Sequence, residues 1–154
     1  MGLLRAVGMW LALAVVLGVL LGALWWSVAP VARTDVVRGG VYLSGHQELQ
    51  VTQDGLFAVI TGATGVLAAV LMALRSRHRP AVGAAAAPLL AVLVALVAWR
   101  VGAMLGAPAL AEQVRAGVRH PVTPLQLHAY AVLFVGAFLY AVTRFLAALF
   151  SAEP

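Results

Sequence analysis

The chain has 154 residues, of which 64% are hydrophobic and 10% are charged. A soluble domain carries about 45–50% apolar and about 25% charged residues, so this composition excludes a water-soluble globular protein and predicts an integral membrane protein. The formal net charge of +5 comes from arginines that flank apolar segments, which is typical of membrane topology, so we predict no nucleic-acid partner.

Four apolar segments are long enough to cross the hydrocarbon core of a bilayer, which takes about 20 helical residues. We therefore predict an all-α integral membrane fold, a single domain over residues 1–154 that forms a bundle of four transmembrane helices. The predicted spans are residues 6–28, 56–74, 88–106 and 125–149, and the predicted outer loops are residues 29–55 and 107–124.

The first span follows Arg5 and superficially resembles a signal peptide. Its apolar run exceeds the usual length of about 7–15 residues, and Pro30 would directly follow a cleavage after Ala29. We interpret this segment as a retained helix that places Trp25 and Trp26 in the outer aromatic belt.

Capping residues mark the other spans. Asp54 is a suitable N-cap for the second helix. Pro88 either opens the third helix or kinks a helix that begins near Ala81. Thr123 and Pro124 provide a cap and a first-turn proline for the fourth helix.

The distribution of arginine predicts the orientation. The short connection "RSRHRP" between the second and third spans carries three arginines, whereas the arginines on the other side are spread over longer loops that also contain acidic residues. The positive-inside rule therefore predicts a multi-pass protein with both termini in the cytoplasm.

Two features are predicted for the outer loops. The segment "DVVRGGVYLSG" has short β-prone runs around Gly39 and Gly40, which indicates a small hairpin. The segment "PALAEQVRAGVRH" forms either a short helix along the membrane surface or a continuation of the third helix.

The stretch "VAWRVGAMLG", Val97 to Gly106, places an arginine, Arg100, inside an otherwise apolar predicted span. An unpaired guanidinium in lipid costs a few kcal/mol, so we predict that Arg100 faces the bundle in a structural ion pair with Asp54. Glu112 is a second candidate partner, and the functional alternative is that Arg100 binds an anion or a lipid headgroup.

Small residues predict the helix-packing faces. They are spaced four or three apart, which permits close approach of two helices. These residues are Gly18 and Gly22, Gly62 and Gly65, and Gly102 and Gly106.

No motif for catalysis or metal binding is complete. His46, His120 and His128 fall on the outer side, but no H-x-x-x-H or H-E-x-x-H spacing occurs, so they are weak metal candidates. The fragment "LSGH" resembles part of a membrane lipid phosphatase motif, but its companion motifs are reversed in order or missing. Cysteine is absent, and we predict no cofactor, no metal and no enzymatic activity.

Several segments together resemble a family of small actinobacterial four-helix membrane proteins of unknown function. They are "LGALWWSVAP", "GGVY", "DGLFAVITGATGVLAAVL", "VAWRVGAMLG" and "PLQLHAYAVLF", which cover roughly residues 17–142. The resemblance implies an actinobacterial plasma membrane and supplies no reaction.

The sequence thus predicts a non-enzymatic membrane protein, an accessory or scaffolding subunit of a larger envelope complex. Its expected partners are membrane lipids and either another membrane protein or further copies of the chain. The alternative is a small transporter or a lipid- or anion-binding protein that uses Arg100.

Overall fold

The computed structural model describes residues 2–32, 35–37, 40–42, 46–75 and 82–151. These ranges contain five α-helices, one 3₁₀ helix and two short strands. In chain order they are α1 (Gly2–Val28), β1 (Asp35–Val37), β2 (Gly40–Tyr42), α2 (His46–Arg75), α3 (Val82–Leu105), α4 (Leu110–Arg115), the 3₁₀ helix (Tyr130–Phe134) and α5 (Val135–Ser151).

Four helical segments are long and apolar enough to cross a membrane: α1, α2, α3 and the 3₁₀ helix continued by α5. At a rise of about 1.5 Å per residue, the 27 residues of α1 extend about 40 Å, which exceeds the roughly 30 Å of a bilayer core. The prediction of four apolar helices is confirmed.

The second helix begins earlier than predicted. α2 starts at His46 rather than near residue 56, so Asp54 lies inside the helix and the prediction that it caps this helix is wrong. The reason is physical: hydropathy marks where a helix becomes apolar, whereas this helix forms its first two turns mostly from polar residues. Glu48 in the first turn also interacts favourably with the helix dipole.

The third and fourth spans also differ at their starts. α3 begins at Val82 and contains Pro88, so the proline lies within a longer helix. Residues 121–129 are not helical, and the prediction that Thr123 and Pro124 cap the fourth helix is wrong. α4 is separated from α3 by a break at residues 106–109, so it is a separate short helix and does not continue α3.

The first loop contains a two-stranded antiparallel ladder. Asp35 pairs with Tyr42, Val36 with Val41 and Val37 with Gly40. The predicted turn residue Gly39 and the arginine-rich residues 76–81 lie outside the described residues.

The long helices pack chiefly as two pairs, α1 with α3 and α2 with α5. Glycines make both contacts close. A Cβ added to Gly22 of α1 would lie 2.5 Å from the carbonyl oxygen of Ala98 on α3, and one on Gly18 would lie 2.6 Å from Cβ of Val97. On the other pair, Gly65 of α2 lies against the backbone of Gly136 on α5.

The main apolar core lies where the two pairs meet, at what we call the loop end. This end comprises the last turn of α1, residues 29–32, the first half of α2, the last turns of α3 and residues 106–134. The opposite end of the bundle is called the terminal end. The core consists of Trp25, Ala29, Phe57, Ala95, Ala98, Leu125, Leu127 and Leu133.

Candidate functional site

The indole of Trp25 is the centre of the loop end. It is fully buried, stands edge-on to Phe57 at a centroid distance of 5.0 Å, and covers Gly102 so closely that no Cβ would fit there. Its Nε1–H donates a hydrogen bond of 3.0 Å to the backbone carbonyl of Gln53. One side chain therefore connects α1, α2 and α3.

Two consecutive buried residues of α2 fix the neighbouring chain segments. The amide of Gln53 donates to the carbonyl of Pro30 at 2.9 Å. The carboxylate of Asp54 accepts the backbone N–H of His128 at 3.1 Å and that of Ala129 at 2.8 Å. Because residues 128 and 129 precede the 3₁₀ helix, the negative charge of Asp54 stabilises the start of a different helix from the one predicted.

Thr123 and Gln113 complete this network. Thr123 donates its N–H to the carbonyl of Ala32 at 2.9 Å, and its hydroxyl oxygen accepts the N–H of Ala32 at 2.9 Å. The buried amide of Gln113 donates to Pro108 and Val122 carbonyls, and its oxygen accepts the N–H of Val122. Buried polar groups are thus satisfied by backbone groups of otherwise irregular segments.

A cavity of about 180 Å³ opens between the start of α2, α4 and residues 123–128. Its polar lining consists of three glutamine amides, one hydroxyl and one imidazole, and its volume is below the roughly 300–1,000 Å³ typical of ligand pockets. The lining residues are Leu49, Gln50, Gln53, Leu110, Thr123, Pro124, Gln126 and His128. Such groups can bind water or a small neutral molecule by hydrogen bonds.

The histidines are not assembled into a site. His120 and His128 are both exposed residues, and Nδ1 of His128 lies 3.8 Å from Oδ1 of Asp54. Among the residues described, no three His, Asp or Glu side chains come close enough to hold a metal ion. The side chain of His46 lies outside the described part of the chain.

The predicted pairing of Arg100 with Asp54 is wrong. The carboxylate of Asp54 already accepts the backbone N–H groups of residues 128 and 129. Arg100 is exposed, on the side of α3 opposite to its contact with α1. The small buried residues Ala98 and Gly102 set the rotation of α3 against α1. Arg100 is two residues from each, which turns it about 200° away from that contact.

Arg100 instead belongs to an aromatic cluster at the surface. Its guanidinium carbon lies 4.8 Å from the ring centroid of Trp99, within the range of a cation–π interaction. Trp99 in turn stands edge-on to Tyr130, at a centroid distance of 5.6 Å. The second predicted partner, Glu112, is exposed on α4 and makes no ion pair with Arg100.

Because Arg100 and Asp54 do not form an ion pair, we expect substitutions of the two residues to have different effects on stability. Arg100→Leu should change the free energy of unfolding by less than about 1 kcal/mol, because no buried ion pair is broken. Asp54→Asn should lower it by about 1.5–3 kcal/mol, because a charged acceptor of two backbone N–H groups is lost.

Unfolding in one detergent, followed by circular dichroism, measures both effects and the double variant. The two losses should add to within about 0.5 kcal/mol, since the residues share no partner. A coupling above about 1 kcal/mol would restore the ion pair that the structure rejects.

Comparison of the chain with protein-family models, with curated proteins and with solved structures gives no match. The resemblance to an actinobacterial membrane family therefore stays a prediction, and the functional argument depends on the geometry of the chain.

Proposed function

We propose that the chain is a multi-pass membrane protein that acts without catalysis, as an accessory or scaffolding subunit that binds another membrane protein. Four helices long and apolar enough to span a bilayer support the membrane location. The polar groups buried at the loop end support a structural role, because they hold irregular segments of the chain in place.

The observation that carries the proposal is the uncovered first half of α1. Residues 4–13 are all exposed, on every side of the helix, although none of them after Arg5 is charged or strongly polar. A helix that is apolar around its whole circumference is typical of a membrane span, and the part that its own chain leaves uncovered is available to a helix of another protein.

Small residues favour a helix as the occupant of this surface. Gly8 and Ala12 are spaced four apart on the uncovered part of α1, and a Cβ on Gly8 would meet no atom within 4 Å. Such spacing permits close approach of helix backbones, which is a main source of helix association in lipid. By contrast, Gly22 and Gly65 pack against other helices of the same chain and are not available to a partner.

The proposal places both termini in the cytoplasm of a plasma membrane. Its support is the charge pattern alone, with three arginines between residues 75 and 79 in the connection next to the terminal end. The uncovered half of α1 then lies in the cytoplasmic leaflet, where a helix of the partner would contact it.

The test compares leucine substitutions at two exposed alanines. Ala12→Leu fills the proposed contact on α1, whereas Ala68→Leu adds the same atoms to an exposed site on α2. We expect gentle extraction from the native membrane to give a complex with a second membrane protein at fixed stoichiometry, measured by native mass spectrometry.

The complex should be lost or reduced at least tenfold in Ala12→Leu and be retained in Ala68→Leu, since overpacking a close contact costs about 1–3 kcal/mol. A lone monomer, a homo-oligomer, or a complex equally weakened by both substitutions would contradict the proposal.

A further inference from the structure

Arg100 interrupts an otherwise apolar stripe on the surface of α3. Leu96, Arg100 and Met104 are spaced four apart and therefore lie on one face of the helix. All three are exposed, Leu96 to 38% and Met104 to 83%. In a membrane, this face points towards lipid or a partner, so the guanidinium is stabilised if it reaches the headgroup region or meets an anionic group from outside the chain.

The position of Arg100 along the helix favours the headgroup region. It lies five residues before Leu105, the last residue of α3, which corresponds to about 7.5 Å along the axis. A long arginine side chain can cover that distance by extending towards the interface. Trp99 and Tyr130 next to it are of the residue types that are enriched at the membrane interface.

The aromatic cluster leaves the donors of Arg100 available. Trp99 contacts the guanidinium through the face of its ring, so this contact does not use the N–H groups. In the described part of the chain, no carboxylate lies within ion-pair distance of Arg100. A planar fork of N–H donors that is oriented by a ring matches the oxygens of a phosphate.

Apolar side chains continue from the cluster towards the terminal end. Tyr130 is 60% exposed, and it is followed on the same chain segment by the exposed rings of Phe134 and Phe138. Leu96 on α3 also lies on the terminal-end side of Arg100, so both chain segments that meet at the cluster continue with exposed apolar side chains, as the acyl chains of a lipid would require.

We propose that Arg100, Trp99 and Tyr130 form a binding site for the phosphate group of an anionic phospholipid. A headgroup with net negative charge is favoured over a zwitterionic one because it brings no second cation close to the guanidinium. The site depends on the membrane location but does not depend on the partner protein proposed above.

Lipid exchange into nanodiscs tests this site. The purified protein is reconstituted with equal amounts of phosphatidylglycerol and phosphatidylcholine, and native mass spectrometry after detergent release counts the lipids retained. We expect preferential retention of phosphatidylglycerol, reduced about tenfold or more in Arg100→Leu because charge-assisted hydrogen bonds are lost.

Arg115→Leu is the matched control, since it removes the same charge from an exposed residue of α4. It should leave lipid retention unchanged. Arg100→Lys should retain an intermediate amount, because it keeps the charge without the planar donors, and it also guards against a folding defect in Arg100→Leu.

Three results of the lipid-retention measurement would overturn the proposal. They are equal retention of the two lipids, equal retention by Arg100→Leu, and an equal loss in Arg115→Leu. Binding of inorganic phosphate by lipid-free protein with no retained lipid would identify a free-anion site instead. If Arg100→Leu breaks a protein complex and leaves lipid retention unchanged, the cation pairs with a partner protein.

Discussion

Replacing Trp25 by alanine is expected to lower the free energy of unfolding by about 3–5 kcal/mol, the range for removing a large buried aromatic side chain. The indole is fully buried between α1, α2 and α3, and its removal leaves a gap beside Phe57 and Gly102. It also leaves the carbonyl of Gln53 without its indole donor. Unfolding in a fixed detergent, followed by circular dichroism, measures the loss.

Two further variants separate the contribution of buried Trp25 packing from that of anchoring at the membrane interface and from that of the indole hydrogen bond. Trp26→Ala removes the same side chain from the next residue, which is 49% exposed, and should cost less than about 1 kcal/mol. Trp25→Phe keeps an aromatic ring but loses the Nε1–H donor, with an expected cost of about 1 kcal/mol from the lost hydrogen bond alone. Equal losses in the two alanine variants would mean that both residues act only as interfacial anchors.

The four long helices could be predicted because length and apolar composition determine them together. Each predicted span overlaps a helix of the structure, although the boundaries differ. Charged and polar residues mark where a chain leaves an apolar environment, whereas a helix ends where its backbone loses hydrogen-bond partners. The first ten residues of α2 lie between these two boundaries: they are helical, but they precede the residue at which the apolar part of the sequence begins.

The non-helical segment before the 3₁₀ helix has a recognisable sequence pattern. Between residues 125 and 128 the sequence Leu-Gln-Leu-His alternates apolar and polar side chains, which is typical of an extended chain with one buried face. The structure buries Leu125 and Leu127 and exposes Gln126 and His128. Thr123 and Pro124 favour a helix cap locally, but the contacts that Thr123 makes with Ala32 and Leu125 makes with Gly106 belong to a non-helical segment.

The side of α3 on which Arg100 lies can also be predicted from the spacing of the small residues in this helix. Ala95, Ala98 and Gly102 are spaced three and four apart, so they form one narrow face that can approach α1 closely. Arg100 falls on the other side of the helix from this face. The roles of Gln53 and Gln113 were not accessible, because their partners are backbone groups of irregular segments that only the folded chain brings near.

Replacing Gly65 by valine is expected to separate α2 from α5. A Cβ at this position would overlap with the carbonyl group of Gly136, and backbone atoms cannot move aside as a flexible side chain can. The α5 side of the interface is also tight, since a Cβ on Gly136 would lie 2.8 Å from the carbonyl oxygen of Thr61 on α2. Overpacking usually costs about 1–3 kcal/mol, and a backbone contact places this variant at or above the upper end.

Gly55→Val supplies the matched control, because Gly55 lies on the same helix with no atom within 4 Å of an added Cβ. It should be neutral or slightly stabilising, since glycine is a poor helix former. The distance between spin labels at Leu67 and Phe138, both exposed, measures the α2–α5 separation, and the absence of native cysteine makes the labelling specific. An unchanged distance together with unchanged stability in Gly65→Val would mean that the two helices do not pack through this glycine, because no rearrangement of side chains could admit the added atoms.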